Sequence, residues 1–199
     1  MAPHEPVPCA PPPTPRVGFH DTGRWEPSTF ASGDLYEVVR INEHRWLLAI
    51  GDVMSHGAQA SRTMAIARAQ IRELAHTSRR ADELLLRLDG YMRDNAPSRQ
   101  ALTLFVAMYD HNDRSLEYSS AGHPYPLFSR DRRVDRLVGR PGVLMGLPMV
   151  AGDGYHRSSK LVTAGDRLLL VTDGLFEVST DLGGQLGIDG PTTSIAQHC

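Results

Sequence analysis

Two apolar-rich runs, SGDLYEVVRI (32–41) and RWLLAIGD (45–52), stand on either side of the turn-like NEH. Their β-branched, aromatic and leucine content predicts two strands of a hairpin. From Gly57 the period changes. Ala60, Met64, Ala67, Ile71 and Leu74 recur at helical spacing, with Arg62, Arg68, Arg72 and Glu73 mostly off that stripe. A second helix is predicted from about Arg80, where Leu84, Leu85, Leu88, Tyr91 and Met92 repeat at three and four before the helix-unfriendly NAPS. Strand signals return in LTLFVAMYD, SLEYSSAG, YPLFSR and RVDRLV, separated by turns at HNDR and RDRR, a spacing that predicts an antiparallel meander over 102–139. A Gly/Pro-rich connection then leads to YHRSSKLV and to TAGDRLLLVTDG, a turn followed by another strand. Strands, two helices, then many strands predict an α+β fold of sheets covered by helices rather than alternating βαβ units.

The runs RWLLAIGD (45–52) and RLLLVTDG (167–174) share one design: a base, an apolar stretch, then an acid beside glycine. Apolar strands lie in a core, so Asp52 and Asp173 are expected where those strands leave it. The glycines permit close approaches that a side chain would block. Asp34 follows Gly33 at the start of the first strand, and a hairpin brings it to the same sheet end as Asp52. Clustered carboxylates repel unless a cation neutralises them. Oxygen-only ligands favour Mg²⁺ or Mn²⁺, and two such ions can bind a phosphoryl group and generate a hydroxide nucleophile near neutral pH. Each acid also has a plainer reading. Asp166 in AGD is a turn residue, and Asp173 in DG is a hairpin turn or a ligand. His56 and His123 read as loop-shaping hydrogen-bonders before they read as ligands, and the methionine and leucine stripes as core.

Composition narrows the partners. The 199 residues, 41% hydrophobic and 22% charged, suit one globular domain with a sizeable core. A net charge of −2 with dispersed acids and bases predicts neither nucleic acid nor an anionic membrane as partner. The apolar runs are far shorter than the roughly 20 residues a bilayer crossing needs. The opening MAPHEPVPCAPPPTPR lacks a secretory signal, and residues 1–23 are expected to form a proline-rich disordered leader before a domain over 24–199. Cys9 and Cys199 cannot staple a core or supply a spaced metal motif, which suits a reducing cytoplasm.

Five motifs in order, SGDLYE (32–37), GDVMSHG (51–57), AGHPYPL (121–127), MGLP (145–148) and GDRLLLVTDGLFE (165–177), resemble the bacterial stress-response and sporulation branch of the PPM/PP2C serine/threonine phosphatases, over about residues 24–190. The resemblance implies a sandwich of two antiparallel sheets flanked by helices, with a two-metal Mn²⁺ or Mg²⁺ centre at one end. By the same resemblance Asp34, Asp52 and Asp173 are metal-ligating and act in catalysis through metal-bound water, Asp52 bridging the ions and the Val53 carbonyl adding a ligand. The substrate implied is phosphoserine or phosphothreonine on an anti-sigma antagonist-like regulatory protein. Ser32 and Ser55 stand where the family has glycine, and Glu37 where it has aspartate. The family pattern continues beyond the QLGIDG element through a helix and a final strand preceded by an acidic pair. Measured against it, the chain is expected to be C-terminally incomplete, lacking that helix and strand, and its second metal site to be weakened. Three functions follow from this reading: a metal-dependent protein phosphatase, a pseudophosphatase or binding module for a partner-switching protein, and a small-molecule phosphoesterase.

Overall fold

The computed structural model describes residues 33–55, 57–96, 100–147 and 154–172. The hairpin forms as expected: β1 (Asp34–Arg40) pairs antiparallel with β2 (Arg45–Val53). Asn42 makes the turn, its side-chain oxygen accepting the backbone N–H groups of His44 and Arg45, an Asx turn that suits asparagine. Helices α1 (Ala58–Thr77) and α2 (Ala81–Asn95) follow. Then come β3 (Leu102–Asp110), β4 (Ser115–Ala121), β5 (Leu127–Arg130), β6 (Arg133–Arg136), β7 (Ser158–Leu161) and β8 (Arg167–Leu169). One sheet has the order β1-β2-β3-β4-β7 and the other β6-β5-β8, with all strand pairs antiparallel.

Alternation along the central strands divides the core into two layers. Leu47, Ala49 and Val53 of β2 and Leu102, Leu104, Val106 and Met108 of β3 face the helices. There they meet Ala60, Met64, Ala67, Ile71 and Leu74 of α1 and Leu84, Leu85, Leu88 and Met92 of α2. The intervening residues, Leu48, Ile50, Phe105 and Ala107, pack with Leu116, Tyr118, Phe128 and Leu137 in the layer between the sheets. Each fully buried Leu, Ile or Phe contributes about 1.5–3 kcal/mol by leaving water, which makes both layers necessary to the sandwich. Tyr91, placed by periodicity on the buried stripe of α2, is instead 38% exposed.

Two expectations need correction. Residues 102–139 are not one meander, because β4 and β5 lie in different sheets. The crossover is AGHPYP: Gly122 adopts φ 67, and Pro124 and Pro126 have no N–H to continue a ladder. The apolar run after Arg167 is also not a second copy of β2. Strand β8 spans three residues and pairs with β5, and Leu169 is 36% exposed, whereas β2 has partners on both edges and a packed layer on each face. Among the described residues no helix is long and apolar enough to cross a membrane.

Candidate functional site

The register of the hairpin places Asp34 directly opposite Asp52. The next strand places Thr103 opposite Asp52 on the other side. Directly opposed residues of an antiparallel pair project from the same face with Cβ atoms about 4.5–5.5 Å apart. Asp34, Asp52 and Thr103 therefore form a row across three adjacent strands, on the face shared with Ile50 and Phe105 and at the end of the sheet beyond them. Like charges directly opposite in a sheet are destabilising, so the row is an arrangement that a cation favours.

Glycine shapes the space beside this row. A Cβ at Gly33 would lie 2.9 Å from Asp52 Oδ1, 3.2 Å from the Val53 carbonyl oxygen and 3.4 Å from the Ser55 carbonyl oxygen. Three oxygens thus converge on room that any larger residue would fill. Gly51 is required for a different reason: its Cβ would meet the Thr103 carbonyl oxygen at 2.3 Å. Both glycines meet the sequence-based expectation of close approach. An all-oxygen donor set of carboxylate and carbonyl groups has the hardness that suits Mg²⁺ or Mn²⁺.

The loop after β2 is tied down on several sides. Val53 N–H donates to the Gly33 carbonyl at 3.3 Å and Met54 N–H to the Ala101 carbonyl at 2.9 Å. Ser55 N–H donates to the Val53 carbonyl at 2.6 Å, leaving that oxygen a second lone pair. Ser55 has a partner of its own: Gln100 Nε2 donates to Ser55 Oγ at 3.1 Å, and Thr63 Oγ1 donates to Gln100 Oε1 at 2.9 Å. The loop is thereby joined to the first turns of α1.

Glu37 belongs to the opposite face. It lies with Leu35 on the helix side of β1, where Arg68 Nε stands 2.6 Å from Oε1 and Arg72 Nε 3.0 Å from Oε2. The carboxylate holds α1 to the sheet, and it raises the Arg72 guanidinium above its ordinary range, by hydrogen bonding first and charge second. Glu37→Ala is expected to cost about 1–2 kcal/mol in urea denaturation, less than a fully buried pair because both arginines are largely solvated. A variant as stable as the parent would show that the two ion pairs contribute nothing net.

Other motif residues meet at the start of β3. Met145 of MGLP exchanges two backbone hydrogen bonds with Leu102, both 3.1 Å. Its neighbour Gly146 donates N–H to Oδ1 of the fully buried Asp89 on α2 at 2.8 Å. His123 of AGHP reaches Thr103 Oγ1 through Nδ1 at 2.8 Å. His123 thus has the hydrogen-bonding role expected of it. Asp166 is likewise a turn residue, accepting the Thr163 N–H at 2.7 Å, and its bond to Arg130 holds its carboxyl below the usual carboxylate range. Thr103 and Gln100 were not singled out by the sequence. Only the phase of Thr103 within LTLFVAMYD hints at it, since it is the one polar residue among the strand's interior positions.

The structure therefore brings Asp34, Asp52 and the Val53 carbonyl to one place, while Asp173 and His56 lie outside the described residues. Among the described residues no group of three or more His, Cys, Asp or Glu side chains comes together that could hold a metal ion. The sequence matches the family described as Stage II sporulation protein E (SpoIIE) over residues 42–198. The chain belongs to the SpoIIE family. Its curated relatives in this family include phosphoserine phosphatase RsbP of Bacillus subtilis strain 168, 30% identical over 154 residues, which are 75% of this chain and 38% of RsbP. Phosphoserine phosphatase RsbU of the same organism is 26% identical over 158 residues, 79% of this chain and 46% of RsbU. The chain thus spans less than half the length of either relative. The solved SiaA-PP2C domain of Pseudomonas aeruginosa superposes with a TM-score of 0.74 at 23% identity, covering 88% of this chain and 69% of that one. The antiparallel sheets and helices among the described residues of this SpoIIE-family chain accordingly have a PP2C-like structural neighbour.

Proposed function

We propose that this chain is a metal-dependent phosphoprotein phosphatase domain that hydrolyses phosphoserine or phosphothreonine on a regulatory protein. The observation that carries the reading is the register pairing of Asp34 with Asp52 beside the oxygen-lined space at Gly33. Asp34, Asp52, the Val53 carbonyl and Asp173 are the proposed ligands for Mn²⁺ or Mg²⁺. When bound, such ions supply Lewis-acid activation of water and of the phosphoryl oxygens. The protein's part is placement. Strands β1 and β2 hold the two carboxylates on a rigid sheet, and the hydrogen bonds of Val53 and Met54 fix the carbonyl beside them. The family membership and the phosphoserine phosphatase relatives support the substrate class.

Hydrolysis of a phosphoserine peptide tests the proposal. Activity is expected to vanish on chelation and to return with added Mn²⁺ or Mg²⁺. Turnover that survives chelation would overturn it. Tight binding of metal and phosphoprotein without turnover would instead identify a binding module, and preference for nucleotides or sugar phosphates a small-molecule phosphoesterase.

A further inference from the structure

His123 is 4% exposed and joins segments that the fold draws from both sheets. Its Nδ1 lies 2.8 Å from Thr103 Oγ1 on β3, and its Nε2 lies 3.1 Å from the Val171 carbonyl oxygen, in the chain leaving β8. Its own carbonyl accepts Ser120 Oγ–H at 2.7 Å, which fixes the crossover that carries it. A carbonyl only accepts, so Nε2 carries the proton toward Val171, and in the neutral ring Nδ1 accepts the Thr103 hydroxyl proton. That hydroxyl has one proton to give, and at 2.8 Å against 3.5 Å the imidazole takes it in preference to the Asp52 carbonyl oxygen.

We propose that His123 and Thr103 are positioning residues of the metal site, bridging the strand beside Asp52 to the segment that runs into Asp173. The inference rests on the metal-site reading above. Thr103 faces Asp52 across β2 and β3, and Val171 precedes Asp173 by two residues in the chain. Asp52 thus stands in one sheet and Val171 follows a strand of the other, and besides the apolar packing between the sheets the directed bonds of Arg130 to the Leu161 carbonyl and of Tyr118 to the Val138 carbonyl hold them together. Apolar contact is non-directional, whereas ligand distances at a metal must hold to within about 0.2 Å. A buried imidazole with a directed bond at each nitrogen adds such a constraint at the strand position beside Asp52, as outer partners of metal ligands do elsewhere.

Titration of the full chain with Mn²⁺, read by electron paramagnetic resonance, tests this without reference to turnover. His123→Ala is expected to weaken Mn²⁺ binding about tenfold or more, the scale of losses at such outer positions. His123→Gln, which keeps an N–H donor near Nε2, should recover most of that loss, and His123→Asn, which reaches only as far as Nδ1, should not. Thr103→Val, nearly isosteric, should weaken binding and remains informative where His123→Ala does not fold. A residue that merely braces the fold would lower the melting temperature of the metal-free protein in these variants while leaving the affinity of the folded protein within about twofold of the parent. That result overturns the proposal, as does a parent chain that binds no Mn²⁺. Tight, His123-dependent Mn²⁺ binding without phosphatase turnover would uphold it and refute the phosphatase reading alone.

Discussion

Asp52→Asn is expected to lower metal-dependent phosphatase turnover by about a thousandfold or more, while leaving the metal-free protein as stable as the parent or more so. A thousandfold corresponds to about 4 kcal/mol of lost transition-state stabilisation, a reasonable scale for losing activation of water by a metal. The opposite sign for stability follows from the register. Asp52 faces Asp34 across the hairpin, and removing one of two like charges relieves their mutual repulsion. Asparagine keeps the shape of the side chain but removes the charge that a hard cation prefers. Initial rates with Mn²⁺ and thermal unfolding with chelator measure the two effects. Undiminished turnover would remove Asp52 from the site, and a lowered melting temperature without metal would show that the carboxylate has a structural role instead.

Gly51→Ala should be strongly destabilising, since among the described glycines its added Cβ would make the shortest contact. The added Cβ would stand 2.3 Å from the Thr103 carbonyl oxygen, 2.9 Å from Leu104 Cδ1 and 3.2 Å from Leu104 Cα. Backbone atoms at the centre of a sheet cannot rotate away as a side chain can, so β2 and β3 must separate where they pair. Overpacking of this kind costs about 3 kcal/mol or more, which urea denaturation will register. The displaced residues are Asp52 and Thr103, so Mn²⁺ affinity should fall in the same variant. Gly90 in α2 provides the contrast. Nothing lies within 4 Å of a Cβ there, and alanine should stabilise the helix by about 0.5–1 kcal/mol. If both alanine variants behaved alike, close approach at Gly51 would not be the cause.

Much of this fold is legible in residue patterns because local physics settles it. The stripe Ala60, Met64, Ala67, Ile71 and Leu74 is a helix face whatever covers it, and all five residues are buried. The hairpin of β1 and β2 follows from two apolar runs around a short polar turn, and with it the pairing of Asp34 and Asp52. Pattern failed where neighbours decide. RWLLAIGD and RLLLVTDG look alike, yet the first is a central strand, and among its described residues the second forms a strand of three. Similarly, the strand-rich stretch after Leu102 gives no sign of which strand changes sheet. Glu37 illustrates the same limit on a smaller scale. Its residue type beside the SGD motif names no partner; a residue three positions beyond Asp34 on a strand lies on the opposite face, and the fold alone brings it to Arg68 and Arg72 there.

The sequence by itself determined the two helices, the hairpin, the acids at the strand ends and, through five ordered motifs, the family resemblance. These depend on periodicity, turn chemistry and residue identity, all of which are local. Only the tertiary structure decided that Thr103 stands beside Asp52, that Ser55 is held through Gln100 to Thr63, and that His123 links β3 to Val171. Those contacts join residues from 20 to 51 positions apart, or 48 for His123 and Val171. Cross-strand register and sheet-to-sheet packing create them, and neither is written in any short stretch of the chain.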